Sequence, residues 1–228
     1  ADSLSGRFVR WDAGYYVQIA EQGYRSNGPE RAFFPLYPLL VGLISRVSGL
    51  SLLWSGLLVS ALSFLGAGLL LYRWICLDYK SNVALWTTVL MYIFPMAFFF
   101  IAFYAEVLFL LTSIAAIYFA RRGQFLFSSV AIALAGAARP PAFLLAIPYL
   151  IEFWQQRNFS LTRWLQFLLG AMIAPIGMLA YLFFLAQQGE GGLFAYAGII
   201  GPEWKRYTTW PWVTLWDGLK ALIGIEIE

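Results

Sequence analysis

Along the 228 residues, apolar positions gather into long uncharged runs, and charged residues fall between them as punctuation. Ser51 to Tyr72 is long enough to cross a bilayer and ends at Arg73, Asp78 and Lys80. Ser81 to Ala105 is the next uncharged run, broken by Pro95 and closed by Glu106. Val107 to Ala120 returns to Arg121 and Arg122, and Gln124 to Ala138 leads up to Arg139. Phe143 to Phe153 leads back to Arg157 and Arg163, and Trp164 to Gln188 reads as a further full span. Each run predicts a helix, because a helix satisfies its own backbone groups where no water is present. Leu36 to Val47, begun at Pro35 and Pro38 and stopped at Ser48-Gly49, is different. As a helix it is only about 18 Å long against a hydrocarbon core of ~30 Å, so it predicts an interfacial or re-entrant element.

Two polar stretches interrupt this pattern. The first, Gly6 to Tyr24, packs Arg7, Arg10, Asp12 and Glu21 among Trp11, Tyr15, Tyr16 and Tyr24. From Asp12 it predicts a short amphipathic helix with Trp11, Tyr15 and Ile19 on one face and Gly23 at its stop. The second opens at Gly189, Gly191 and Gly192 and runs through Trp204, Lys205 and Arg206 to Pro211, with a further helix beginning near Val213. The expected organisation is one transmembrane domain over 1–228: an outer loop with interfacial helices at 1–50, transmembrane helices at 51–188, a second outer loop at 189–212, and the start of a helix at 213–228. The chain opens without a signal peptide and reads as part of a longer protein that begins inside a loop.

Composition turns these runs into a class. Hydrophobic residues make up 61% of the chain and charged ones 12%, and the mean hydropathy is +0.71. A soluble domain could not hide that much apolar surface, so the fold class is an all-α polytopic membrane protein. The net charge of +3 reflects loop bias rather than a nucleic-acid footprint, and no nucleic-acid motif is present. Without histidine, and with Cys76 as the only cysteine, the chain offers no His-based metal cluster, no Ser/His triad and no internal disulfide. Acid–base work falls to Asp, Glu, Tyr, Lys or Arg.

Basic residues set the orientation. Arg73 with Lys80, Arg121 with Arg122, and Arg157 with Arg163 recur at alternate span ends, which the positive-inside rule assigns to the cytoplasm. The opening loop, Glu106, Arg139 and the Trp204 loop then share the opposite side, provided Leu36 to Val47 does not cross. Val107 to Ala120 and Phe143 to Phe153 are about 21 Å and about 17 Å as helices, so Glu106 and Arg139 are expected below the outer surface. Charges at that depth need a partner or a wet cavity, which predicts an outward-facing cavity roofed by the two polar loops. Each charged group has a plainer alternative. Asp12 is either a helix N-cap or a base. Glu106 and Arg139 either tie two helices together or line a site, and Arg139 suits a phosphate but could also snorkel. Trp204 and its neighbours fit an interfacial aromatic belt, with Arg206 or Lys205 as a second phosphate contact.

The segments RWDAGYYVQIAEQGY, AFFPLYPLLVG, FPMAFFFIAFYAEVLFLLT and ARRGQFLFSSVAIALAGAARP, in order over most of residues 10 to 141, resemble the PIG-V family of membrane mannosyltransferases. The likeness fades after Arg139, where Pro140-Pro141-Ala142 replaces the Ser-Asn-Gly of human-type members, and Ala105 stands where the family's Tyr-Ser-Glu element has serine. The resemblance implies a GT-C-like fold and inverting transfer of a mannosyl or similar residue from a polyprenyl- or dolichyl-phosphate sugar. The acceptor would be lipid-linked or a glycan, and no metal or other cofactor would take part. It also implies a setting among membrane lipids: a bacterial inner membrane with an outward-facing site, or the endoplasmic reticulum in a eukaryote. In this scheme Asp12 and Glu106 are catalytic and Arg139 and Arg206 hold the donor phosphate. Arg10, Trp11, Tyr104 and Trp204 bind sugar or acceptor. A lipid or sugar transporter and a non-catalytic membrane scaffold are the competing classes.

Overall fold

The computed structural model describes residues 12–25, 28–156, 160–188, 196 and 210–222. Its elements are helical, with no strand among the described residues: α1 (Ala13–Gln22), α2 (Leu36–Ser48), α3 (Leu52–Ile75), α4 (Ser81–Ile93), α5 (Glu106–Arg121), α6 (Phe125–Ala138), α7 (Ala146–Gln155), α8 (Leu161–Ile173), α9 (Ile176–Gln187) and α10 (Pro211–Leu222). Three short 3₁₀ turns, Pro29–Ala32, Pro95–Phe100 and Pro140–Leu145, each begin at a proline, whose fixed φ and missing N–H suit the first position of a helical turn.

The helix boundaries follow local chemistry. Ser51 caps α3 by accepting from the Trp54 N–H, and Ser160 caps α8 by accepting from the Arg163 N–H. Gly49 ends α2 in the left-handed conformation at φ 72°, where a side chain would be strained. Pro95 divides the Ser81–Ala105 run as expected. The predicted span from Trp164 to Gln188 is present, as two helices, α8 and α9, that meet at Ala174-Pro175. Pro175 supplies no N–H and crowds the preceding turn, so it restarts the helix rather than continuing it.

The packing of α3 mixes small, hydroxylic and apolar residues inside with leucine outside. Leu58, Leu62, Leu65 and Leu69 face outward, while Ser55, Ser60, Ser63, Ala67 and Gly68 are buried beside Val59 and Phe64. Small and hydroxylic residues inside, with leucine outside, are what helix association in lipid favours, since leucine gains nothing by leaving a hydrocarbon solvent. Leu52–Ile75 and the 27-residue stretch Leu161–Gln187 are long and apolar enough to cross a membrane. The buried hydroxyls are mostly paired: Ser60 donates to the Ala102 carbonyl at 2.9 Å and bonds Tyr37 Oη at 3.0 Å, and Ser128 donates to the Ala116 carbonyl at 2.8 Å. α5 lies between α3 and α6, its most extensive partners. α6 meets α9 at Gly136 and Gly177, where a Cβ on Gly177 would overlap the Ala133 carbonyl.

Charge separates to the two ends of this bundle. At one end Arg121 donates to Asp78 at 2.7 Å and to Glu152 at 3.4 Å, while Gln156 donates to the Ala120 carbonyl and accepts from Arg163. This joins the α3–α4 turn, the end of α5, the end of α7 and the start of α8. Asp12, Glu106 and Arg139 gather at the opposite end, the parity expected from the sequence.

Candidate functional site

The site is built on the first polar stretch. α1 lies against α2 so closely that a Cβ on Gly42 would sit 3.2 Å from the Ala20 carbonyl oxygen. Its buried face carries Ala13, Tyr16, Ile19 and Ala20. Tyr15, expected on that face, instead stacks on Phe33 at 4.9 Å. Tyr16 packs edge-on against both Phe33 (5.2 Å) and Tyr37 (5.4 Å).

The segment from Ala32 to Pro35 is held in place by its flanks. Glu30 is fully buried, and its carboxylate accepts from the Arg25 backbone N–H (3.0 Å), Nε (2.9 Å) and Nη2 (3.1 Å). Gly28 makes this possible, because any Cβ there would collide with that carboxylate. Burial pushes the Glu30 pKa up, but the hydrogen bonds from Arg25 outweigh it and hold the group below its ordinary value. Tyr24 donates to the Phe33 carbonyl and Tyr181 to the Arg31 carbonyl, each at 2.7 Å, which straps the segment to α9.

Two helix ends complete the site. Glu106 occupies the first turn of α5, where the helix dipole favours a carboxylate. Arg139 ends α6 in an extended conformation (φ −157°, ψ 147°) because the following Pro140 excludes the helical one. There it forms an ion pair with Glu106 Oε1, both side chains about one-third exposed. Glu106 Oε2 is buried and has no hydrogen-bond partner among the described residues.

These residues line a cavity of about 140 Å³, with Asp12, Tyr16, Phe33, Phe34, Tyr104, Glu106 and Arg139 in its wall. Four of the eight residues singled out from the sequence therefore share one space: Asp12, Tyr104, Glu106 and Arg139. Arg10, Trp11, Trp204 and Arg206 lie outside the described residues. The capping alternative for Asp12 is not what the structure shows, because the residue precedes α1 but its side chain makes no cap bond. Asp12 is exposed instead, leaving its carboxylate available to the cavity. Ala105 is wholly buried among Phe103, Leu108 and Tyr37, so a small residue there packs the core and does not line the cavity.

Tyr16, Phe33, Phe34 and Tyr196 are aromatic lining residues that sequence reasoning passed over. The signal for Tyr16 was its helical register with Ala13 and Ala20, hidden by the more conspicuous aromatic set at Trp11 and Tyr15. Burial pushes the Tyr16 phenol far up, the nearby Glu106 and Asp12 carboxylates add to this, and Arg139 opposes it. The group is thus a neutral hydroxyl beside the ion pair.

A sequence profile of the family described as Mannosyltransferase (PIG-V) matches residues 1–202, well past Arg139 where the likeness was expected to fade. The chain belongs to this family. GPI mannosyltransferase 2 of the yeast Yarrowia lipolytica is 30% identical over 147 residues, 64% of this chain. The chain spans 40% of that relative's length. No solved structure matches the chain. The matched residues include those that line the cavity.

Proposed function

We propose that the protein containing this chain transfers a mannosyl residue from a polyprenyl-phosphate donor to a lipid-linked or glycan acceptor, with inversion at the anomeric carbon. The observation that carries this reading is the single cavity uniting Asp12 with the Glu106–Arg139 pair in a chain of a mannosyltransferase family. The acceptor hydroxyl gives its proton to the Asp12 carboxylate as its oxygen attacks the anomeric carbon. The bond from that carbon to the phosphate oxygen breaks, and the lipid phosphate leaves with the electron pair. Arg139 stabilises the leaving anion, since a guanidinium offers several planar N–H donors to phosphate oxygens. Glu106 orients Arg139 and, through its uncommitted oxygen, the acceptor. Tyr104 and the Phe33 and Phe34 rings supply flat surfaces for a sugar.

Arg206 as a second phosphate contact, and Arg10, Trp11 and Trp204 as sugar contacts, belong to the same proposal. So do a GT-C architecture and an outward-facing site, in a bacterial inner membrane or the endoplasmic reticulum of a eukaryote. The test is to incubate the full-length protein in membranes with radiolabelled polyprenyl-phosphate mannose and a lipid extract. Label appearing in a new, α-linked lipid or glycan product is expected from a β-linked donor. Retention of the donor's configuration, or label passing the membrane without any new glycosidic product, would overturn the reading.

A further inference from the structure

The Glu106–Arg139 pair borders a second space. On the side away from Asp12, a groove of about 270 Å³ is lined by Phe100, Phe109, Leu110, Ser113 and Pro141, with Glu106 and Arg139 shared between it and the polar cavity. Its walls come from the Pro95–Phe100 turn, the first two turns of α5 and the start of the Pro140–Leu145 turn. Around them Phe98, Ile101, Phe143 and Leu144 are exposed, so the groove opens onto an apolar surface. A polar chamber and an apolar trough that meet at one guanidinium match an amphiphile with an anionic joint between a sugar and a hydrocarbon chain.

We propose that this groove takes the isoprenoid units next to the phosphate of the donor, so that the phosphate lies at Arg139 and the sugar in the Asp12 cavity. The inference rests on the donor class of the proposed function. Nη1 of Arg139 serves Glu106, and its other N–H groups make no hydrogen bond among the described residues, which leaves donors for a phosphate. A larger apolar groove of about 390 Å³ lies on the other side of the Pro140–Leu145 turn, among Phe143, Leu150, Phe167 and Leu179. Among the described residues no charged one lines it, so they offer nothing to fix a phosphate.

The experiment uses the full-length protein in nanodiscs and a polyprenyl phosphate, without sugar, that bears a diazirine in its first isoprene units. After irradiation, label is expected on the stretch from Phe100 to Ser113. It should be competed by unlabelled polyprenyl phosphate but not by inorganic phosphate or phosphatidylglycerol. Leu110→Trp, which fills the groove, should lower the competed label at least fivefold, while Leu179→Trp in the other groove leaves it unchanged. Label concentrated on the α7–α9 groove, or competed equally by phosphatidylglycerol, overturns the assignment. The mapping on the unmodified protein stands even where the tryptophan variant folds poorly. Because labelling requires no turnover, competed label in this groove without mannose transfer would upset the transfer reading alone. Transfer with label elsewhere would upset the groove alone.

Discussion

At the residue scale, the Glu106–Arg139 pair is held by two unrelated local rules: a carboxylate at a helix N-terminus and an arginine forced extended by the proline after it. Arg139→Lys keeps the charge but loses the planar fork, so donor affinity should fall while the fold survives; a binding assay with polyprenyl phosphate reads this directly. Glu106→Gln leaves Arg139 without its counter-charge and should reduce turnover more than it reduces donor binding, measured as kcat against KM. Glu30 makes a different prediction, concerning pH. Its folded pKa is depressed, so its contribution to stability is fully present above the ordinary carboxylate value and is lost as pH falls through the lowered one. Thermal unfolding of the purified protein should show a loss of Tm in that acidic window, and Glu30→Gln should remove this part of the pH dependence. The acid and arginine at 106 and 139 were legible in the sequence because charges are rare in apolar runs. Tyr16 was not, because its role depends on which face of a ten-residue helix is covered, and two aromatic registers competed there.

At the element scale, prolines and small residues decide more than hydrophobicity does. The break between α8 and α9 at Pro175 lay inside an uncharged run, and apolar composition alone concealed it. The boundaries of α3, α5 and α6 were readable to within a few residues, since charged or capping residues mark their ends. Where helices approach most closely, the contact is between backbones: Gly177 sits against the Ala133 carbonyl. Gly177→Val should therefore separate α6 from α9 and cost about 1–3 kcal/mol, as overpacking typically does, seen as reduced thermal stability in detergent. Ser60→Ala removes a hydroxyl that bonds both Tyr37 and the Ala102 carbonyl. It should also destabilise the protein, by about 1–3 kcal/mol, because the partners it leaves are buried.

At the scale of the whole molecule, one end of the bundle carries the Arg121 network and the other carries the cavity, and the family match extends over both. Cys76 is exposed at the Arg121 end, so in the proposed orientation, with Cys76 as sole cysteine, a membrane-impermeant maleimide should label it only from the cytoplasmic side. That Asp12, Glu106 and Arg139 share one end was legible from the alternation of charges along the chain. The walls of the cavity were not, because Phe33 and Phe34 reach it through a segment whose position depends on Glu30, Tyr24 and Tyr181 together. The central claim is that the Asp12 carboxylate takes the acceptor's proton in that cavity. The most direct measurement compares mannosyl transfer by full-length Asp12→Asn with the unmodified protein, with donor binding followed in parallel. Turnover should fall by about 10²–10⁴-fold while donor affinity stays within about twofold, the usual cost of removing a general base; an Asp12→Asn protein that turns over at the normal rate would contradict the account.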